Sequence, residues 1–269
     1  MSTNQPPPCK WGHRCVKLKH MIFRQKQPVM TLSRWLLVLA VLVTLLLVVS
    51  GPGTRLGFWD FRFGFQLIRW AFFGALAVAG LAVVLLVIKR FRPAHGGSLV
   101  GALVLALACA WVPYSLYQQA TSVPRIHDIT TDTDSVPEFV AIAPLRADAS
   151  NPVAYPGAEV AEQQRAAYPE IQPLASDQPA AVVFSEAAAL ADELGWTVVA
   201  QAPEQGRIEA FDTTFWFGFI DDVVIRITGS ADQTVVDVRS KSRVGLSDVG
   251  KNAARIEAFL DALDERLND

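Results

Sequence analysis

Residues 70–88 read WAFFGALAVAGLAVVLLVI and contain no ionisable side chain. Two more apolar runs accompany this stretch: residues 32–50, with Trp35 to Val49 as their most apolar part, and Gly96 to Ala120. A helix rises about 1.5 Å per residue, so about 20 apolar residues cross a bilayer. Three such runs in succession, with basic residues at their ends, predict three transmembrane helices within residues 31–120 rather than buried helices of a soluble protein.

Lysine and arginine are distributed unevenly around these runs. The N-terminal tail and the connection after residue 88 together carry ten of them, whereas the connection after residue 50 carries three. Basic connections remain in the cytoplasm. The sequence therefore predicts a multi-pass protein of the bacterial inner membrane with a cytoplasmic N-terminus. Three crossings would then place everything after Ala120 in the periplasm.

The two halves of the chain carry opposite charge. Residues 1–120 have a net charge of +12, whereas residues 121–269 have a net charge of −14. An outer part this acidic repels nucleic acid, so no nucleic-acid partner is predicted. The expected partners are the lipid bilayer and an envelope protein or small ligand. Residues 1–30, basic and proline-containing, are predicted to be a disordered cytoplasmic tail.

Beyond the spans, the pattern predicts an α+β domain at residues 176–269, preceded by a proline-rich extended segment at 121–175 that wraps around it. The extended segment has room for one short helix, between Ala158 and Ala167. Hydrophobic periodicity and turn residues predict the following elements in the domain: a helix from Pro179 to Leu194, strands at Thr197 to Ala202, Arg207 to Thr214, Asp222 to Thr228 and Thr234 to Arg243, and a helix capped by Ser247 that runs to about Leu267. This order predicts an antiparallel sheet of about four strands with the helices on one face.

Period-two alternation divides the strands into an apolar face and a polar face. The apolar face holds Val223, Ile225, Ile227, Val236 and Val238. The polar face offers candidates for a ligand pocket, namely Asp212, Arg226, Asp237, Arg239 and Arg243. The favoured interpretation is an exposed cross-strand ladder of ion pairs, each stabilising the domain by about 0–1 kcal/mol. Within it, Arg239 is expected to matter more than Lys241, because arginine can bridge carboxylates such as Asp237 and Asp212.

His127 is the one histidine after the apolar runs. With Asp128, Asp132 and Asp134 it could ligate a metal, and with Ser240 or Ser242 it could form a hydrolytic set. The favoured interpretation is that it pins the extended segment to the domain through hydrogen bonds. No metal or cofactor is therefore predicted, and a non-enzymatic role is favoured. A hydrolase-like enzyme using His127 with the arginine, serine and aspartate cluster is the alternative.

Two further features have alternative interpretations. The start of the last helix, at Ser247 and Lys251, could bind an anion through free backbone N–H groups, although an ordinary cap is favoured. The aromatic run from Phe215 to Phe219 either dips into the bilayer or fills the core of the domain.

Several blocks of residues also resemble a known family. They are Arg125-Ile-His127-Asp128, Asn151-Pro-Val-Ala-Tyr155-Pro-Gly157, Ala167-Tyr168-Pro169, Asp212-Thr-Thr214-Phe-Trp-Phe-Gly218, Asp221-Asp222-Val-Val-Ile-Arg226, Asp237-Val-Arg239-Ser240-Lys-Ser242-Arg243, and Ser247-Asp248-Val-Gly250-Lys-Asn252. Together, over roughly residues 121–265, they resemble the bacterial family called domain of unknown function 1499. The resemblance implies an envelope location and a shared fold, and it supplies no mechanism.

Overall fold

The computed structural model describes residues 32–88, 92–230 and 233–268. The predicted disordered tail, residues 1–30, lies outside the described residues. The helices are α1 (Leu32–Arg55), α2 (Phe61–Val87), α3 (Arg92–Ser122), α4 (Ala158–Ala167), α5 (Ala180–Glu193) and α6 (Lys251–Asn268). The strands are β1 (Asp128–Thr130), β2 (Leu174–Ser176), β3 (Thr197–Ala202), β4 (Arg207–Thr213), β5 (Ile220–Gly229) and β6 (Thr234–Ser242), and short 3-10 turns lie at Ala143–Arg146 and Pro203–Gln205.

The three predicted apolar helices are present and pack against one another. Each is long and apolar enough to cross a membrane, with mean hydropathies of 2.6, 2.5 and 2.0 in chain order. Ala71 and Ala75 of α2 and Ala102 and Ala106 of α3 are at most 1% exposed. Small side chains at four-residue spacing let helix backbones approach closely in lipid. These alanines therefore lie where the helices pack against one another.

The first span is longer than predicted. It was expected to end at Ser50, before a Gly-Pro-Gly sequence, but α1 continues to Arg55 with Pro52 inside it. Gly51 and Gly53 are buried, because the rings of two tryptophan side chains occupy the space beside them. Tertiary contacts thus hold a last turn that local propensity disfavours.

The sheet has six antiparallel strands in the order β1-β6-β5-β4-β3, with β2 also paired to β6. The four predicted strands are β3 to β6. The two additional strands have three residues each, lie in the extended segment, and pair with β6 opposite residues 239–241 and 234–236. Strands this short show no recognisable alternation of apolar and polar residues, so the predicted number of strands, about four, was smaller than the observed six. Helix α4 has the predicted bounds.

The predicted apolar face forms the core of the domain. Helices α5 and α6 cover it, and Val223, Ile225 and Val238 are completely buried there. Phe259 of α6, also completely buried, stacks on Trp196 with ring centroids 5.2 Å apart. The prediction of helices on one face of the sheet is confirmed.

The opposite face of the sheet, expected to be open, is covered by the extended segment. Phe139 and Ile142 of this segment pack on Val224 of β5. The carboxylate of Glu209, on β4, is completely buried and accepts the backbone N–H groups of residues 140–142 at 2.9–3.0 Å. The polar face of the sheet is therefore an interior surface.

The last helix is capped differently from the prediction. The carboxylate of Asp248 accepts the backbone N–H of Gly250 at 2.8 Å and that of Asn252 at 3.0 Å. The hydroxyl of Ser247 accepts only the N–H of Val249, which precedes the helix. Asp248 therefore caps α6, and the assignment of the cap to Ser247 was wrong.

Candidate functional site

The polar face of the sheet centres on a buried carboxylate, Asp128. Its two oxygens accept hydrogen bonds from Arg239 Nε and Nη2, each at 2.9 Å, and from Lys241 Nζ at 2.5 Å. All three side chains are at most 4% exposed. The pairing of β1 with β6 brings them together, because it sets Asp128 opposite Lys241 and Thr130 opposite Arg239. This geometry differs from the predicted pairing of Arg239 with Asp237 and Asp212.

The same two cations hold the extended segment in place. Arg239 donates to the carbonyl oxygens of Pro137 and Val153 at 3.0 Å, and Lys241 donates to that of Ala154 at 2.8 Å. The rings of Phe139 and Tyr155 lie 4.8 Å and 5.6 Å from the guanidinium carbon of Arg239. The backbone carbonyl groups of this irregular segment do not pair with a strand, and the buried cations donate hydrogen bonds to them instead.

Electrostatics around this cluster follow from burial. Burial, with a smaller contribution from the nearby Asp128 carboxylate, raises the pKa of Tyr155 to about 12. Burial also lowers the pKa of Lys241, and the neighbouring guanidinium groups act in the same direction against the attraction of Asp128. Such an arrangement is stable only as a complete set, since each member neutralises or solvates another.

A second buried carboxylate, Asp222, lies near the start of β5, at the end of the strand next to the turn at residues 214–219. Arg243 donates to both of its oxygens, with Nη2 2.7 Å from Oδ1. Arg146, in the first 3-10 turn, places Nη1 3.1 Å from Oδ2. Among the described residues, the Nε of Arg146 has no hydrogen-bond acceptor although its side chain is 1% exposed.

The remaining predicted polar residues belong to two other clusters. Arg226 bridges Asp237 at 2.8 Å and Asp132 at 3.0 Å and is partly exposed. Asp212 pairs with Arg255 of α6 at 2.7 Å. Arg226 lines a small cleft of about 280 Å³ on this face of the sheet, together with Arg207 and Val224. The ladder of ion pairs exists but is largely buried rather than exposed.

Arg146, Glu209, Asn252 and Arg255 were not singled out from the sequence. Arg255 also reaches Asp221 at 2.8 Å and Ser240 at 3.1 Å. Asn252 and Arg255 are three residues apart, so they share a face of α6. Polar residues on the side of an amphipathic helix that faces a sheet were the available signal. Arg146 and Glu209 offered no comparable pattern.

The hydrolytic arrangement has little geometric support. The Ser240 hydroxyl donates to Asn252 Oδ1 at 2.7 Å, and the Ser242 hydroxyl accepts from Asn252 Nδ2 at 3.1 Å. The backbone carbonyl of His127 accepts from Ser242 N and from Asn252 Nδ2. His127 therefore joins the extended segment to the domain, as the favoured interpretation held, through its backbone carbonyl and also through a hydrogen bond between its imidazole and the backbone of Leu246. Burial, aided by Lys241, lowers the pKa of its imidazole.

The residues that the metal-site alternative would use have other partners. Asp128 binds two cations, and Asp132 binds Arg226 and two backbone N–H groups. Within residues 32–88, 92–230 and 233–268, no group of three histidine, cysteine or acidic side chains is arranged to hold a metal ion. At the start of α6, the Asp248 carboxylate already accepts backbone N–H groups that an anion would need. Anion binding at Ser247 and Lys251 stays a prediction, and this geometry disfavours it.

The aromatic run does not belong to the core of the domain, and its insertion into the bilayer stays a prediction. It forms a turn between β4 and β5 that packs on the adjoining ends of α1 and α2. Trp216 lies against Gly51, while Phe217 and Phe219 stack on each other at 5.2 Å and contact Phe65 of α2. Phe215 is 88% exposed. The run is thus a docking surface between the domain and the membrane helices.

Arg55, the last residue of α1, reinforces this docking. Its Nη1 donates to the carbonyl oxygen of Phe215 at 2.5 Å, and its guanidinium lies 5.8 Å from the Phe215 ring centroid. Gly218, at φ +71°, brings the turn backbone against the Arg55 side chain. An added Cβ would be 2.9 Å from Arg55 Cγ, so a side chain fits neither the backbone conformation nor the space.

Beside this docking surface lies a cleft of about 450 Å³. We call it the junction cleft, because both the membrane helices and the domain line it. Its lining residues are Thr54, Arg55, Trp59, Asp60 and Phe61 from α1, α2 and their connection, and Leu145, Arg146, Asp148, Ala149, Phe217, Gly218, Phe219, Ile220, Arg243 and Val244 from the domain. It combines guanidinium groups, carboxylates and aromatic rings, and of the predicted site residues it includes Arg243.

Comparison with known proteins identifies a family. The model of a family described as "Protein of unknown function (DUF1499)" matches residues 128–263. The match begins at the buried Asp128, covers β1 to β6, and leaves out the three apolar helices and Arg55. No curated protein matches the chain.

Proposed function

The chain belongs to the DUF1499 family of proteins of unknown function, and we propose that it is a membrane-anchored binding protein whose ligand occupies the junction cleft. In this proposal the three apolar helices and the family domain form a single binding unit. The helices contribute one wall of the site and the domain contributes the other. The role is binding, with no reaction catalysed.

The observation that carries the proposal is that the junction cleft combines charged side chains with access from outside, whereas the Asp128 cluster does not. The Asp128 cluster is sealed under the extended segment, where a ligand has no access. Arg146 and Arg243, by contrast, belong to the Asp222 cluster and also line an open cleft. A concave site with apolar walls and a few convergent polar groups is the common form of a ligand site.

Photo-cross-linking in native membranes tests this function. A photoreactive amino acid at Leu145, which lines the junction cleft and is 55% exposed, is expected to give a discrete adduct. The matched control is Val140, an apolar residue of the same segment that is 50% exposed and does not line the cleft. Identical adduct patterns from the two positions, or none from Leu145, would contradict binding in the cleft.

The proposed location is the bacterial inner membrane, with the domain in the periplasm. Two observations support it. The basic residues are biased ten to three toward the N-terminal side of the spans. The domain also docks at the ends of α1 and α2 nearest their short connection, which is the side with fewer basic residues.

We therefore expect alkaline phosphatase fused after Asp269 to be active, because that enzyme matures only outside the cytoplasm. A fluorescent protein that folds only in the cytoplasm serves as the reciprocal reporter at the same position. Fluorescence of the second fusion together with inactivity of the first would reverse the orientation.

A further inference from the structure

The junction cleft is placed where a membrane lipid can enter it. Trp59 and Phe61 lie on its membrane-helix wall, and aromatic residues of this kind mark the level of lipid headgroups. The exposed surface of α1 and α2 next to it is apolar, with side chains such as Val48 and Phe73 about half exposed. A bound lipid could keep its acyl chains along these helices while its headgroup fills the cleft.

The polar lining contains groups of both signs. Arg55, Arg146 and Arg243 supply guanidinium groups, whose planar donors match the oxygens of a phosphate. Asp60 and Asp148 are exposed carboxylates on the same lining, and a carboxylate is the natural partner of an ammonium group. The lining therefore matches a headgroup that carries both a phosphate and an amine.

Arg146 adds an independent observation. It lines the cleft, its side chain is 1% exposed, and its Nε has no acceptor among the described residues. A buried donor without an acceptor is unfavourable, and a phosphate oxygen would satisfy it. Its one carboxylate, Asp222, is shared with Arg243.

The charge of the outer part of the chain argues against a purely anionic lipid. Residues 121–269 carry a net charge of −14, which repels an anionic membrane surface. A zwitterionic headgroup escapes this repulsion and uses the carboxylates of the lining as well as its arginines. We propose that the junction cleft binds the headgroup of an aminophospholipid, of the phosphatidylethanolamine class; this rests on the proposed function.

Lipid retention by the purified full-length protein tests the proposal. The variant Ala149→Trp fills the cleft without removing a charged group, since Ala149 is a half-buried lining residue. The matched control is Ala147→Trp, an exposed position two residues earlier that does not line the cleft. After delipidation and exposure to dioleoylphosphatidylethanolamine, native mass spectrometry should find one lipid retained by the wild type and by Ala147→Trp, and at least tenfold less by Ala149→Trp.

Three results would overturn the proposal: equal retention by Ala149→Trp at an unchanged melting temperature, stronger retention of dioleoylphosphatidylglycerol, or complete displacement of the lipid by inorganic phosphate. The last result would identify a phosphate site in place of a lipid site. If no lipid is retained but cross-linking from Leu145 still captures a protein or a soluble molecule, the lipid assignment fails and the binding function stands. If both experiments are negative, both fail.

Discussion

Replacement of Asp128 by asparagine is expected to lower the free energy of unfolding of the outer domain by about 3–5 kcal/mol. The carboxylate of Asp128 is the shared partner of Arg239 and Lys241, and all three side chains are buried. Asparagine has nearly the same shape but no charge, so two buried cations would lose their counterion. A loss of this size is a large fraction of the stability of a typical domain.

Urea unfolding of the full-length protein in detergent, followed by near-ultraviolet circular dichroism, measures this effect. The matched control is Asp134→Asn, the same chemical change at an exposed carboxylate of the same segment. The control is expected to change the unfolding midpoint little. Equal midpoints for the two variants would mean that the Asp128 cluster does not stabilise the domain.

A second substitution separates lost charge balance from lost packing. In the Asp128→Asn background, Lys241→Met removes one of the two unpaired cations and keeps a side chain of similar length. We expect part of the lost stability to return, because replacing a buried charge by an apolar group is favourable once its partner is gone. If the double variant is less stable than Asp128→Asn alone, packing around Lys241 outweighs its charge.

The sequence was sufficient for features whose cause is local. Three runs of apolar residues predicted α1 to α3, since length and hydrophobicity alone decide whether a helix can span a bilayer. The alternation of Val223, Ile225 and Ile227 predicted which side of β5 faces the core. In each case the residues that carry the signal are neighbours in the chain.

The sequence was insufficient for features that depend on contacts between residues far apart in the chain. Asp128 lies 113 residues before Lys241, and nothing in either local pattern announces their contact. The sequence pattern predicted that Arg239 pairs with Asp237 on its own strand. Its partner in the structure is Asp128, which lies on a three-residue strand that the pattern does not reveal. The Gly-Pro-Gly sequence read as a helix end for the same reason, since the tryptophan that packs on Gly51 is 165 residues away.

The substitution Gly51→Ala adds one methyl group, and we expect it to have the largest effect on how the domain docks against the membrane helices. Alanine normally stabilises a helix relative to glycine by up to about 1 kcal/mol. At Gly51, however, an added Cβ would lie 1.3 Å from Cδ1 of Trp216, so the ring must leave its position. Overpacking of this kind costs about 1–3 kcal/mol, so the sign of the substitution should reverse.

Hydrogen exchange measured by mass spectrometry gives the readout. In Gly51→Ala, peptides that cover residues 56–61 and 214–219 should exchange about tenfold faster, whereas those of α6 should be unchanged, since one kcal/mol or more is lost only at the docking surface. The control is Gly80→Ala in α2, where an added Cβ meets no atom within 4 Å. It should leave exchange in all three regions unchanged.

Trp216→Ala completes the cycle, because Gly51→Ala should have no further effect once the ring is absent. If exchange in residues 214–219 is unaffected by Gly51→Ala, the turn does not rest on α1 in solution. The consequence extends to the junction cleft, whose walls come from both α1–α2 and the domain. A domain that leaves the helices has no such cleft, so Gly51→Ala should also reduce the yield of the Leu145 adduct while leaving the Asp128 cluster and the fold of the domain intact.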